Sequence, residues 1–147
     1  MANNFMFTSY KDKVKRQLEE AGLTGVEKAL MIIRAAAKAG APVATGQLRD
    51  RIDYAIQSSS SEIVGAIGSP EEYAIYIEFG TGEFAENGAG RTGGWVYKDS
   101  SGEWFFTWGQ EPQPFLRPAF RQNKEDIKRV IGDAYGAKFQ SDWGGSD

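Results

Sequence analysis

Three glutamates, Glu71, Glu72 and Glu78, lie close together in the stretch Ser69 to Gly82, and carboxylates so grouped are the set that hydrolysis or a hard cation would use. Further on, Gly88-Ala-Gly90-Arg-Thr-Gly93 fits the dinucleotide-binding fingerprint letter for letter. What the chain lacks narrows both ideas, because it has no histidine and no cysteine. A Ser-His-Asp triad, a thiolate zinc site and a disulfide scaffold are therefore excluded. The carboxylates also have structural work available to them. Glu71 and Glu72 suit the positive end of a helix dipole, and Glu78 can cap backbone groups of the loop after it or pair with Arg49 or Arg117. The fingerprint needs a strand before it and a helix after it, so that a pyrophosphate meets the helix N-terminus. Here a polar loop precedes it, Gly94-Trp95-Val96-Tyr97 follows as a strand, and the Gly-Lys-Ser/Thr of a P-loop is missing. Neither catalysis nor a metal or cofactor is expected.

The elements that hold these residues have clear punctuation. Ser69 reads as a helix cap, Pro70 suits the first helical position and Glu72 completes a capping box, with Tyr73 and Ile77 on one face and Gly80 as the stop. Upstream, Tyr10, Val14, Leu18 and Ala21 recur at helical spacing through Thr8–Ala21, and Gly22 is read as the end of that helix. Thr24 and Glu27 form a second capping box for a core helix whose stripe is Val26, Ala29, Leu30, Ile33 and Ala37, up to Gly40. Ala41 to Gly46 is irregular because Pro42 and Gly46 interrupt it, and Gln47 to Arg51 makes one helical turn. Ile52, Tyr54 and Ile56 then alternate with polar residues, four serines (Ser58 to Ser61) form a solvated turn, and Ile63, Gly65 and Ile67 alternate again, which predicts a hairpin with one buried face.

The glycine-rich stretch Glu83 to Gly94 reads as a mobile arm that orders on a partner. Beyond it, Trp95–Lys98 and Glu103–Trp108 flank Asp99-Ser-Ser-Gly102 as a second hairpin. Trp104, Phe106 and Trp108 share one of its faces and Glu103, Phe105 and Thr107 the other, so both faces carry aromatics. Contact with another subunit explains this better than a stacking platform for sugars or bases, since no basic surround accompanies it. Pro112 and Pro114 hold an extended approach that Phe115 and Leu116 latch to the core, and Pro118 opens a last helix with Phe120, Ile127, Val130, Ile131 and Ala134 buried, ended by Gly136.

Length and charge set the outer bounds. With 147 residues, a single domain over 1–147 is expected, with 1–7 and 138–147 as flexible tails. No apolar run approaches a membrane span and no signal peptide opens the chain. Residues 60–112 carry 2 basic and 9 acidic side chains, whereas residues 1–40 carry 7 and 4, so an acidic middle follows a mildly basic start. Tight binding to nucleic acid would need a basic stripe and is not expected.

Three blocks in order carry a family likeness: Ala44-Thr45-Gly46-Gln47-Leu48-Arg49, then Tyr73 to Thr81 with Glu78-Phe79-Gly80-Thr81 at its end, then Gln113-Pro114-Phe115-Leu116-Arg117-Pro118-Ala119-Phe120. With their helical flanks, from Thr24 to about Tyr135, they resemble the tail-completion proteins of long-tailed bacteriophages. The resemblance implies an α+β fold, a twisted antiparallel sheet of about four strands with two or three long helices packed on it, plus the glycine-rich loop and hairpin. It also implies a non-enzymatic structural protein of the head-tail connector, located in the virion neck and in the host cytoplasm during assembly. That protein forms a ring, hexameric by preference and otherwise dodecameric, between a capsid stopper or connector protein and a tail terminator or tail tube protein, with DNA passing through. The alternatives are a tail terminator or other minor tail component and, from another class, a nucleic-acid or carbohydrate-binding module on the Trp-rich hairpin. On the ring reading, Thr45, Gly46, Leu48, Glu78, Phe79, Gly80, Thr81, Trp95, Trp104, Phe105, Trp108, Phe115 and Arg117 are the expected assembly residues, and Glu83 and Glu86 the expected lumen-facing acids.

Overall fold

The first departure from the sequence pattern is at Gly22, where the chain does not stop. In the computed structural model, which describes residues 2–42, 46–59 and 61–143, one helix, α1 (Ala2–Gly40), runs unbroken for 39 residues. Gly22 and Gly25 are close-approach residues rather than caps. A side chain at Gly22 would run into Ile63 and the Tyr135 hydroxyl, and one at Gly25 would lie 3.0 Å from the Cα of Ile131 and 3.2 Å from the Cβ of Ala134. Their value is space for a neighbour, which outweighs the modest helix penalty of glycine.

The remaining elements are α2 (Gln47–Asp50), β1 (Asp53–Ser58), β2 (Ile63–Gly68), α3 (Ala74–Phe79), a 3₁₀ turn (Gly82–Phe84), β3 (Trp95–Lys98), β4 (Trp104–Thr107), α4 (Leu116–Gln122) and α5 (Lys124–Trp143). The α+β class holds, but the single four-stranded sheet does not. Among the described residues β1 pairs with β2 and β3 with β4, giving two separate two-stranded sheets. The expected one-turn helix at Gln47 and both hairpins are present. The last helix is broken at Asn123 into α4 and α5, and α5 passes through Gly136 to Trp143. Likewise α1 begins at Ala2, so the described parts of both expected tails are helical.

The chain divides into two compact units, one made of Met1–Ala35, Tyr54–Ile67 and Arg121–Asp147, the other of Ala36–Asp53 and Gly68–Phe120. In the first, α1 contributes Ala21, Ala29, Leu30 and Ile33 to a buried core and α5 contributes Ile127 and Ala134. Gly65 of β2 lies where a side chain would strike Leu30 and Val26, so the strand packs tightly on α1. Carboxylates of α1 fix the edges: Ser58 donates to Glu19 at 3.0 Å, Tyr54 to Glu27 at 3.3 Å, and Lys138 of α5 pairs with Glu20 at 2.7 Å. The Arg34 guanidinium lies 4.7 Å from the centre of the Tyr54 ring. Leu18, placed on the apolar stripe by spacing, is exposed, while Gln17 beside it is buried.

In the second unit the buried apolar residues are Ala37, Ala41, Leu48, Ile52, Ala74, Phe115 and Ala119. Phe120 is half exposed, so the inward side of α4 is marked by Ala119 instead. α3 starts four residues later than its capping signals suggest, at Ala74 instead of Pro70. The Ser69 hydroxyl accepts the N–H of Glu71 at 3.2 Å, closing a local turn, and the helix opens from Tyr73 without a side-chain cap. Gly80 ends it as expected, its N–H donating to the Tyr76 carbonyl at 2.8 Å.

Candidate functional site

The second unit is built around a buried carboxylate. Glu78, in the last turn of α3, is 3% exposed and accepts the main-chain N–H groups of Phe115 at 2.7 Å, Leu116 at 3.0 Å and Arg117 at 3.0 Å. These are the orphan donors at the start of α4, so a side chain from another element caps that helix. Pro112 and Pro114 bring the chain in extended, and Gln113 donates its N–H to the Ile77 carbonyl at 2.8 Å.

Arg117 ties the capped helix to the glycine-rich loop. Its Nε donates to Glu78 at 2.8 Å, one terminal nitrogen to the Glu78 carbonyl at 2.8 Å, and the guanidinium grips Glu86 with two bonds of 2.7 and 3.0 Å. The same group lies 4.5 Å from the centre of the Phe79 ring. Burial pushes the Glu78 carboxyl upward, but the N–H of Leu116, the Arg117 side chain and the N–H groups of Phe115 and Arg117 together outweigh it and hold the pKa below its usual value. Glu86 first, and Glu78 second, hold the Arg117 guanidinium above the ordinary arginine range.

The motif Phe79-Gly80-Thr81-Gly82 lines up beside the segment after β4. Thr81 donates its N–H to the Gln110 carbonyl at 2.9 Å while its hydroxyl accepts the N–H of Gln110 at 2.9 Å, and Glu83 donates to the Trp108 carbonyl at 3.0 Å. Gly82 takes φ 63°, and a Cβ there would lie 2.7 Å from the Cα of Gly109. The loop expected to be a mobile arm takes the form of a series of hydrogen-bonded turns. Glu86 donates to the Phe79 carbonyl at 3.0 Å, Gly88 to Ala85 at 3.0 Å, and Gly93 to the Glu83 carboxylate at 3.1 Å.

The three carboxylates that suggested chemistry do not converge. Glu71 pairs with Arg51 and takes a bond from Gln47, Glu78 is committed to α4, and Glu72 is exposed. Among the described residues no group of three or more acidic side chains is arranged to hold a metal. The glycine fingerprint runs into β3, not into a helix.

The expected assembly residues separate into two sets. Leu48, Glu78, Gly80 and Phe115 are buried, while Gly46, at φ 67°, Thr81, Trp95 and Arg117 are partly covered. These shape the unit. Phe79, Trp104, Phe105 and Trp108 are exposed, and Thr45 lies outside the described residues. Glu86, expected to face a lumen, is paired with Arg117, and Glu83 is exposed while capping the Gly93 N–H. Sequence reasoning missed Ile75 and Tyr76, exposed on α3 beside Phe79; the Tyr-Ala-Ile-Tyr-Ile run, apolar on every side of a short helix, was the available sign.

The β3–β4 hairpin is in the register Trp95 to Thr107, Val96 to Phe106, Tyr97 to Phe105 and Lys98 to Trp104. Tyr97 and Phe105 stack at 5.8 Å, and Phe106 meets Trp108 edge-on at 5.2 Å. Asp99 shapes the turn, its carboxylate accepting from the Ser101 hydroxyl at 2.6 Å and the Glu103 N–H at 3.0 Å, which lowers its pKa.

A family model described as "Bacteriophage HK97-gp10, putative tail-component" matches residues 6–80, half of the chain, from α1 to the glycine that stops α3. The chain belongs to this HK97-gp10-like family. The matched residues hold the first of the three blocks read from sequence and all of the second but Thr81, and the loop, the aromatic hairpin and Gln113 to Phe120 lie beyond them. No curated protein and no solved structure matches the chain. Among the described residues no helix is long and apolar enough to cross a membrane.

Proposed function

We propose that this HK97-gp10-like chain is a non-enzymatic structural subunit of the phage neck, closing with copies of itself into a ring between the capsid connector or stopper and the tail terminator or tube, through which DNA passes. The observation that carries the reading, given a family of tail components, is the β3–β4 hairpin. It exposes large apolar side chains on both faces, and an isolated chain has nothing to gain from that. The Glu78 and Arg117 network supports it by fixing where the hairpin and loop leave the unit, so that copies would present the same contacts. A surplus of acidic side chains in residues 60–112 suits a lumen that DNA traverses without sticking, with Glu83 rather than the paired Glu86 as the acid to test.

The test is a phage in which the gene is silenced. Filled heads and finished tails that stay apart, and join when purified chain is added, are the expected outcome under electron microscopy. Joined virions at wild-type yield without the chain would sink the proposal. The competing nucleic-acid or carbohydrate reading predicts quenching of the hairpin tryptophans by oligonucleotides or oligosaccharides; the neck reading expects flat titrations.

A further inference from the structure

We propose that Asn87, with Gly88 after it, is a site of spontaneous deamidation in the glycine-rich loop, restrained while Arg117 holds the loop and loosening that hold once the reaction has occurred. The reaction needs only the folded chain and water, so it is independent of the neck reading.

The asparagines of the chain are Asn3, Asn4, Asn87 and Asn123, and only Asn87 precedes a glycine. Deamidation joins the main-chain nitrogen of the next residue to the side-chain carbonyl carbon of asparagine. A side chain on that next residue stands in the way, and glycine has none. Asn3 and Asn4 lie in α1, where helical main-chain geometry holds the following nitrogen away from the side chain. The Asn123 carbonyl accepts the Ile127 N–H at 2.8 Å, which fixes the peptide unit shared with Lys124. Asn87 and Gly88, by contrast, are both exposed, and a Cβ at Gly88 would meet nothing within 4 Å. The Asn87 Oδ1 accepts the Ala89 N–H at 2.9 Å, which polarises the carbonyl under attack.

The step balances with water alone. The Gly88 nitrogen, giving its proton to solvent, bonds to the Asn87 Cγ, and the side-chain amide takes up a proton and leaves as ammonia. Water then opens the five-membered ring at either carbonyl, leaving aspartate or, with the main chain rerouted through the side chain, isoaspartate. Geometry sets the rate. The Gly88 N–H donates to the Ala85 carbonyl at 3.0 Å, and Glu86 is held by its own N–H on the Phe79 carbonyl at 3.0 Å and by Arg117 on its carboxylate at 2.7 and 3.0 Å. The nitrogen must leave Ala85 before it attacks, so the loop reacts from an opened form. Isoaspartate inserts a methylene into the main chain between the Glu86 and Gly88 amides, and either product adds a carboxylate beside Glu86. The loop then cannot keep both main-chain bonds, and Arg117 loses its hold.

The experiment ages the purified full chain in mildly alkaline buffer and follows the tryptic peptide from Ile52 to Arg91, whose one asparagine is Asn87, by mass and by enzymatic methylation of isoaspartate. A gain of about one mass unit is expected in that peptide alone, absent in Asn87→Gln and slowed in the urea-unfolded Gly88→Ala chain. The urea-unfolded wild type should react at least about twofold faster than the folded chain, because the Gly88 to Ala85 bond no longer has to open. Arg117→Lys should speed the folded chain about two- to fivefold, the worth of a partly exposed ion pair. In the aged wild type the Glu86 amide should exchange with solvent faster than in fresh protein. A folded chain that never reacts while the unfolded one does, equal rates in the two states, or reaction at Asn123 ahead of Asn87 would each overturn the proposal. So would an Arg117→Lys chain that reacts as wild type does, or a Glu86 amide that exchanges alike in aged and fresh protein.

Discussion

Glu78 and Arg117 are joined at three points: the carboxylate accepts both Nε and the main-chain N–H of Arg117, and the Glu78 carbonyl accepts the guanidinium. With the N–H groups of Phe115 and Leu116 on the same carboxylate, α3 and α4 are held as one piece. Glu78→Ala leaves those donors and the guanidinium without the acid that satisfied them, and should cost about 3 kcal/mol. Urea unfolding followed by circular dichroism measures it; a loss below about 1 kcal/mol would mean that water replaces the carboxylate.

The same group predicts an acid response. Its folded pKa lies below the ordinary 4.5, so its contribution to stability is complete above that value and is lost as the pH falls through the folded pKa. The stability difference between wild type and Glu78→Gln should be constant at neutral pH and shrink below about pH 4.5. A difference that stayed flat down to acid unfolding would show that Glu78 does not titrate with folding.

Arg117→Lys keeps the charge and loses the fork. A lysine cannot bridge Glu78 and Glu86 with the same geometry or lie flat over Phe79. The expected result is a folded protein with a modestly lowered midpoint, in which the amides of Glu86 and Gly88 exchange with solvent faster than in wild type. Unchanged exchange there would disconnect the loop from Arg117.

Glycines should fall into two classes. Gly25→Leu forces a side chain against the Ile131 backbone and should cost about 1–3 kcal/mol by overpacking, although leucine is the better helix former. Gly132→Ala and Gly136→Ala meet nothing within 4 Å on α5 and should each stabilise by about 0.5–1 kcal/mol. Thermal melts of the three variants decide it, and a stabilised Gly25→Leu would contradict the packing described.

Gly82→Ala combines a positive φ with a Cβ directed at Trp108 and Gly109, so both backbone and space oppose it. About 2 kcal/mol or more should be lost, with weaker pairing of Glu83 to the Trp108 carbonyl read by amide exchange. Gly88→Ala, also at positive φ but with open space around it, should cost less. Equal costs would locate the effect in φ alone.

Local chemistry made much of this chain legible from sequence. Turn residues and alternation gave the two hairpins, Gly80 the end of α3, and the stripe Ala29, Leu30, Ile33 and Ala37 the buried face of α1, because each rests on contacts among near neighbours. The absence of histidine and cysteine and the failed context of Gly88 to Gly93 bounded the chemistry without a structure. Thr45, in the middle of the first family block, lies outside the described residues.

What tertiary structure alone decided was how each ambiguous residue is used. Gly22 as a stop and Gly22 as a point of close approach are the same letter, and only Ile63 and Tyr135 arriving opposite it select the second. Ser69 caps nothing because its hydroxyl found Glu71 two residues away, a bond available before any helix forms. Whether four strands make one sheet or two depends on long-range pairing, on which alternation within a strand is silent. Most of all, Glu78 was recognisable as a residue needing a partner, and Arg117 as one candidate for it. That the carboxylate would also cap a helix beginning 38 residues later follows only from the fold, where burial makes an unpaired charge too costly and three free N–H groups stand within reach.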